Sequence, residues 1–529
     1  MIKRFVVWAA VLPLTICGLL PLFYMFFSSL FLDGNFSLAA YSDVLNSRRQ
    51  WLLLRNSLSL AGLVSSGVTL IGVPLGVLIG KSNLPFKRCF FFILCIPLLV
   101  PPYIVAVAWD QLLQTEISIL GFLPQRILEF ANDLLFGLGG TVFILTLVYL
   151  PIPIIIINIL IKTINPRLEE AALLNSSWPM VLREITLPLM WPGIVLSAML
   201  TFALTIGEFS VPSYFRFPVF AVESFTNFSA LYDFKAATAT SIPLAFAALP
   251  IIALEVYFSR KWKWISSGMV YPDEYLVLSL GRLRFPLFVF AFTFASCLVL
   301  LPFMALFKTS LHGETYNRVL AIAGGSLKRS LLYAGVGATL LSFCGFLAAY
   351  SVKKRLFCCG RLLEAIALFL FALPGTVLGI GLIGLWNTRW TSFIYGSMII
   401  VILGYLAKYF IVPFKVILGQ LFQLPPSMEE AAQLAGASWY RTMFSIVIPL
   451  SMKSILAAWL CGFIFCLRDT GITMLVYPPG NETLPVRIFT TMANGSPQLV
   501  ASLCVLMVLA AVSSAALLWI MNISARRHS

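Results

Sequence analysis

Apolar runs of about twenty residues recur from one end of this chain to the other, and they leave few folds open. A run of that length spans the hydrocarbon core of a bilayer as a helix. Hydrophobic residues make up 60% of the 529 positions and charged residues only 11%, against about 25% charged in ordinary soluble domains. No stretch is left for a large soluble catalytic domain. The expected fold is an all-α integral membrane protein with about twelve transmembrane helices, six in each half. The first-half spans read as 5–32, 52–80, 89–110, 137–161, 189–213 and 238–259. The second-half spans read as 286–307, 328–352, 362–386, 393–420, 451–476 and 498–521. The N-terminal run is too long for the core of a signal peptide and reads as the first span.

The formal charge of +15 does not point to nucleic acid. The cations sit in short clusters between apolar runs, where they set membrane orientation. With the N-terminus inside, the cytoplasmic side receives Lys3, Arg4, Lys81, Lys87, Arg88, Lys162, Arg167, Arg260, Lys261, Lys263, Lys353, Lys354, Arg355, Arg526 and Arg527. The outer side receives fewer, among them Arg48, Arg49, Arg126, Arg318 and Arg389. The bias is roughly two to one in the direction of the positive-inside rule. Both termini are therefore expected in the cytoplasm. A basic stretch over 260–284, with Trp262 and Trp264 at interface depth, joins the halves. The domain reading is a first repeat over 1–264, a cytoplasmic linker over 265–285 and a second repeat over 286–529. The opening Arg55-Asn-Ser-Leu-Ser-Leu-Ala-Gly of the second span matches Arg329-Ser-Leu-Leu-Tyr-Ala-Gly in the second half. Six spans per half give both halves the same orientation, so the repeats are parallel and a pathway is expected between them.

Two polar islands interrupt the apolar pattern at equivalent places, in loops over about 165–188 and 425–449. The first reads EEAALLNSSW and the second EEAAQLAGASW, each leading through a proline into a new apolar run. Topology puts both in the cytoplasm without using the islands themselves. Each reads as a short helix. Asn165 caps the first, with Pro166 as its first residue. Ser427 and Glu430 form a capping box on the second, and Gly436 ends it. A single island of this kind is usually a solvated loop; two near-copies at equivalent points suggest a docking element presented twice.

The second island carries EAA, three residues, Gly, nine residues and Ile-x-x-Pro, as Glu430-Ala431-Ala432, Gly436 and Ile446-Val447-Ile448-Pro449. That pattern resembles the signature of permease subunits of ATP-binding-cassette importers, with Ile448 where the family has Leu. The first island departs from it: Ser176 stands at the glycine position and the segment is one residue shorter. The resemblance implies a type I importer permease architecture. It implies that Glu169, Glu170, Ala171, Ala172, Glu429, Glu430, Ala431, Ala432 and Gly436 belong to coupling helices that dock on an ATPase dimer. Stretches 96–109, 206–215, 217–238 and 465–489 resemble the fused, two-permease subunits that import ferric iron. Thiamine, sulfate, polyamine and phosphonate permeases share parts of the pattern. The resemblance further implies a bacterial inner-membrane location, a substrate-binding protein outside, and ATP with magnesium on the partner rather than on this chain.

Three charges fall inside apolar spans. Glu208 lies twenty residues after Pro188, and Asp469 lies twenty after Pro449, with Arg468 beside it. Intramembrane charge is costly and faces a cavity or a partner. The acids read either as flanks of a central pathway or as gate and packing residues near the outer interface. Pro97, Pro101 and Pro102 interrupt the third span, Pro374-Gly375 its counterpart, and Pro151 and Pro153 fall in the fourth. Such breaks are tolerated where helices pack in protein or line a cavity.

Other signals point away from chemistry on this chain. Gly76-Val-Leu-Ile-Gly80-Lys81-Ser82 is one residue short of a phosphate-binding loop and ends a membrane helix. The ten cysteines, including Cys358 and Cys359 in a basic loop, show no paired CxxC spacing, and only His312 and His528 are present. No metal site, no catalytic cluster and no bound cofactor are expected. An ion-gradient-driven transporter would also have twelve spans and buried acids, but it gives no reason for a duplicated cytoplasmic EEAA helix.

Overall fold

The computed structural model describes residues 8, 10–32, 35–114, 124–231, 234–266, 275–311, 315–355 and 360–527. Eight helices are long and apolar enough to cross a membrane: Ala10–Ser29, Arg48–Lys81, Leu138–Ile161, Trp178–Ile206, Gly281–Ser310, Val319–Lys353, Trp439–Leu467 and Pro497–Ala516. Three bent pairs bring the number among the described residues to as many as eleven, if each pair is one span. The sixth expected span falls in Phe234–Ser266, a 33-residue helix whose side chains are described only in part. The all-helical membrane fold stands; the expected count of twelve is not reached among the described residues. Cys358, Cys359, His312, His528 and the side chains of Trp262 and Trp264 lie outside them.

Proline chemistry shapes the helices. In the third span Lys87–Leu99 meets Pro102–Leu113 at 106°, and in the ninth Gly360–Ala372 meets Gly375–Trp386 at 103°. Pro101 and Pro374 stand at the two corners with the same backbone angles, φ −53° and ψ 138°. That extended conformation cannot continue a helix, so both spans fold back alike. The fourth span passes Pro151 as one unit, because Pro151 is the first residue of a new helical segment and needs no N–H there. Its counterpart bends by 50° between Tyr409 and Ile411. Four π turns, Thr15–Leu19, Leu182–Thr186, Ser296–Leu300 and Met443–Val447, each lie immediately before Leu-Pro or Ile-Pro. A proline ring clashes with the carbonyl four residues back, and a widened turn relieves the clash while the helix continues.

The first spans are exchanged. Ala10–Ser29 packs on the second half: the Pro21 carbonyl oxygen would lie 3.1 Å from a β-carbon at Gly381. Gly281–Ser310 packs on the first half, with Ala291, Ala295 and Val299 among Leu75, Ile79, Phe90, Leu94, Leu150 and Ile154. Each half is thus clasped by a helix of the other. In lipid, burying apolar area between helices brings little by itself, and close packing and interhelical hydrogen bonds hold the bundle instead. Gly76 and Gly80 show this. A β-carbon at either would come within 3.0 Å of Ile157 or Ile161, so these glycines let the second and fourth spans approach closely. The stretch that resembles a phosphate loop is a packing seam.

Candidate functional site

Both polar islands form short helices, Pro166–Leu173 and Pro426–Leu434. Asn165 caps the first as expected, its side chain accepting from the Arg167 N–H at 3.1 Å. The capping box on the second is not formed. Pro425 occupies the cap position and no side chain caps the helix. Pro426, with φ preset by its ring, starts the helix two residues early. Ser427 is then already the second residue inside the helix, two positions past the one from which a hydroxyl caps. The two ends also differ. Gly436 has φ +73°. The Gly436 N–H donates to the Gln433 carbonyl at 3.0 Å and the Ala437 N–H to the Ala432 carbonyl at 2.9 Å, a Schellman ending. The first helix is one residue shorter (8 against 9) and ends at Leu174 in ordinary helical geometry, so Ser176 suffices there. From that point the repeats run in parallel: a four-residue helix, a π turn and a long membrane helix.

The sequence treats the two acids of each island alike; the structure separates them. Neighbouring residues on a helix point about 100° apart. Glu169 is fully buried, paired with a fully buried Lys81 at the end of the second span. Its other oxygen accepts from the Thr186 hydroxyl at 2.8 Å. Glu429 is buried between Lys353 at 3.3 Å and Lys354 at 2.9 Å, with the Tyr350 hydroxyl at 3.2 Å. Glu170, Glu430, Ala171 and Ala431 face outward, and Ala172 and Ala432 are half-buried. Leu174 is 83% exposed and Leu434 90% exposed beside them. Each helix is held from beneath by one acid and presents an acid, an alanine and a leucine above. Losing one partner of a buried ion pair costs about 3–5 kcal/mol, because the other is left as an uncompensated buried charge.

Inside the bundle the repeats build a second matched pair. The fifth and eleventh spans end at Ile206 and Leu467, just before Glu208 and Asp469. Tyr149, last residue of one half of the fourth span, lies close enough to Glu208 for the two to interact electrostatically. The Tyr409 hydroxyl, at the same place in the tenth, donates to Asp469 at 2.6 Å. Asp469 also accepts from the N–H groups of Ile472 and Thr473, at 3.2 and 2.9 Å, and from the Thr473 hydroxyl at 2.8 Å. Glu208 accepts from the Ser210 N–H at 2.9 Å. Arg468 and Asp469 are buried and Glu208 half-buried. The Arg468 guanidinium reaches across to the Leu98 carbonyl of the first half and lies 5.7 Å from the Phe465 ring centre. Lys408 acts electrostatically on the same group, within reach of Asp469, Glu208 and Arg468. The cluster therefore holds two acids and two cations, and both cations come from the second half. Lys408, Tyr149 and Tyr409 escaped the sequence reading. A lysine in MIIVILGYLAKY and two tyrosines 260 positions apart were the available signals.

Aromatic rings close the space beside this cluster. Phe209 stacks on Phe225 with centres 5.0 Å apart and meets Phe489 at 5.5 Å. Tyr103 packs on Phe489 at 5.6 Å, and its hydroxyl donates to the Pro485 carbonyl at 2.8 Å. Phe225 and Phe489 sit on the short helices Phe220–Ser229 and Leu484–Thr491. Each helix donates its first N–H to a serine of a long span: Phe220 to Ser57 at 2.9 Å and Leu484 to Ser330 at 2.7 Å. Asn56 and Arg329, one residue before those serines, bond the Pro218 and Glu482 carbonyls. The matched openings of the second and eighth spans thus hold the two ring-bearing helices. Among the described residues no group of three or more His, Cys, Asp or Glu could hold a metal ion.

The family described as binding-protein-dependent transport system inner membrane component matches residues 342–529. A Haemophilus influenzae protein named for a ferric transport system permease is 25% identical over 496 residues, 88% of this chain and 76% of that protein. The ferric transport system permease protein of Actinobacillus pleuropneumoniae is 24% identical over 501 residues, 89% of this chain and 71% of that protein. The putrescine transport system permease of Escherichia coli is 38% identical, but over only 80 residues, 15% of this chain and 28% of that one.

Proposed function

We propose that this chain, a multi-pass permease of the binding-protein-dependent transport family, supplies both membrane halves of an ATP-driven importer for ferric iron. The observation that carries the cargo is similarity along nearly the whole chain to two permeases named for ferric transport. The putrescine permease matches only a short stretch. The repeats are 1–264 and 286–529, joined by the 265–285 linker, with both termini in the cytoplasm. A soluble binding protein delivers iron from outside. ATP and magnesium belong to an ATPase dimer inside, because this chain carries no phosphate-binding loop.

In this reading the outward faces of the two island helices, Glu170, Ala171 and Leu174 with Glu430, Ala431 and Leu434, dock on the two ATPase subunits. Their buried acids, Glu169 and Glu429, carry the movement into the second and eighth spans through Lys81, Lys353 and Lys354. Closure of the ATPase rocks the halves and parts Phe209 from Phe489, which opens the path. Glu208 and Asp469 flank that path. With Arg468 and Lys408 nearby, they give it polar walls without a net negative trap, so a trivalent cation passes without being held.

The test is uptake of labelled ferric iron in a strain lacking this chain, with thiamine as the comparison cargo. Restored iron uptake that disappears with an inactive ATPase partner supports the proposal. Thiamine uptake without iron uptake overturns the cargo. Iron uptake that persists with the inactive partner and collapses with the ion gradient overturns the class.

A further inference from the structure

The linker between the halves does more than join them. Lys81 ends the Arg48–Lys81 helix. Its side chain holds Glu169 of the first island helix. Its carbonyl, which has no partner within the helix, accepts from the Leu278 N–H at 2.7 Å. The Leu278 carbonyl in turn accepts from the Asn83 N–H at 3.2 Å, so Ser82 and Leu278 form a parallel bridge. The Asn83 side chain accepts from the Leu280 N–H at 3.1 Å. Tyr275 packs against the cluster that includes Met190 and Ile194 of the fifth span. Leu280 packs with the cluster that includes Phe90 and Val299 of the seventh. Residues 275–280 therefore run from the fifth span, across the backbone of the very lysine that tethers the first island helix, into the exchanged seventh span.

The second tether has no such cover among the described residues. Lys353 there serves Glu429 and the Leu424 carbonyl, and Lys354 shares the acid while remaining 27% exposed. Water reaches this pair and two lysines can exchange on one carboxylate. At the first tether one lysine and one acid are sealed together, with Thr186 filling the remaining acceptor. A pair in a dry, low-dielectric site interacts more strongly than one that water screens.

We infer that residues 275–280 are a strap that fixes the first island helix rigidly to the second and seventh spans, making it the stiffer of two unequal levers, with Lys81 and Leu278 as its positioning residues. This inference rests on the proposal that the island helices carry the drive from the ATPase.

The test uses the complete importer, with its ATPase and binding protein, in liposomes, and reads iron taken up per ATP hydrolysed. Leu278→Pro removes the N–H that bonds Lys81, while Leu278→Val keeps it. Leu278→Pro should lower the uptake-to-hydrolysis ratio about fivefold or more, the lower end of ordinary coupling between sites. Leu278→Val should keep the ratio within about twofold. An equal ratio for the proline and valine variants overturns the strap. If the proline variant does not assemble, Ser82→Cys with Leu278→Cys decides. A strap that stays seated tolerates the disulfide, and oxidation that abolishes uptake in a dithiol-reversible way overturns it. Ala171→Trp and Ala431→Trp separate the two readings. If both leave the ratio unchanged, the coupling role itself fails; if both lower it while Leu278→Pro does not, only the strap fails.

Discussion

The Tyr409 hydroxyl donates to the Asp469 carboxylate at 2.6 Å, and Tyr149 lies close enough to Glu208 in the other half for the two to interact electrostatically. A phenol thus stands near a carboxylate at the end of equivalent spans. The pairs are not equal. Asp469 is buried and holds three further donors from the chain that follows it. Glu208 is half-buried and bonded to Ser210. A buried acceptor that loses its donor pays its desolvation cost, about 1–3 kcal/mol, whereas a partly exposed one recruits water. Tyr409→Phe should therefore destabilise the purified permease by about 1–3 kcal/mol and Tyr149→Phe by less. Thermal unfolding in detergent checks the order; a larger loss from Tyr149→Phe would contradict it.

Lys408, half-buried, carries a charge that acts on two carboxylates. Lys408→Met leaves the cluster with one net negative charge. That should retain a trivalent cation and slow its exit, reducing uptake about tenfold, which corresponds to roughly 1.4 kcal/mol. Lys408→Met combined with Glu208→Gln restores balance and should recover most of the uptake. Initial rates of ferric iron uptake, corrected for the amount of protein in the membrane, check this. A double variant slower than the single one would rule out charge balance as the cause.

How much of this was legible depended on contrast. Two polar islands in an apolar chain stand out, and so do prolines in helices, so the tethered helices and the corners at Pro101 and Pro374 could be anticipated. The cap at Asn165 was readable because proline follows directly. The one expected at Ser427 was misplaced because Pro426 begins the helix first. Tyr149 and Tyr409 were silent because tyrosine in a membrane helix reads as one more apolar residue. The split between Glu169 and Glu170 needs the cation at the end of another span, 88 positions away. Apolar periodicity does not say which half a span packs on, so the exchange of first spans was invisible.

The tethers differ in how they fail. Glu169 has one lysine, sealed from water, while Glu429 has two and a tyrosine. Glu169→Gln leaves Lys81 charged, buried and unpaired, and should cost about 3–5 kcal/mol. Glu429→Gln leaves Lys354 able to turn to water and should cost distinctly less. Lys81→Glu combined with Glu169→Lys restores opposite charges and should recover part of the loss. Unfolding midpoints of the four proteins in the same detergent test this; equal losses from the two glutamine variants would contradict the difference in burial.

The two helix endings make a paired prediction that tests the break in the repeat directly. Gly436 adopts φ +73°, a region where a β-carbon crowds the following carbonyl and costs about 1–2 kcal/mol. No atom lies within 4 Å of the place a β-carbon would take there, so the penalty is one of backbone conformation and not of space. Gly436→Ala should destabilise the second island helix by about 1 kcal/mol. It should also loosen the Ala432 and Gln433 carbonyls that the ending satisfies. The first helix ends at Leu174 without a left-handed residue. Ser176→Gly should therefore leave stability unchanged or lower it slightly through a more flexible unfolded chain. Amide exchange over 426–437 and 166–177 reads both effects. Faster exchange at Ala437 in Gly436→Ala, with no protection gained at 174–177 in Ser176→Gly, is the expected result. Added protection in the Ser176→Gly variant would mean that the first helix can take the same ending, and that its missing glycine, not its missing residue, sets the two apart.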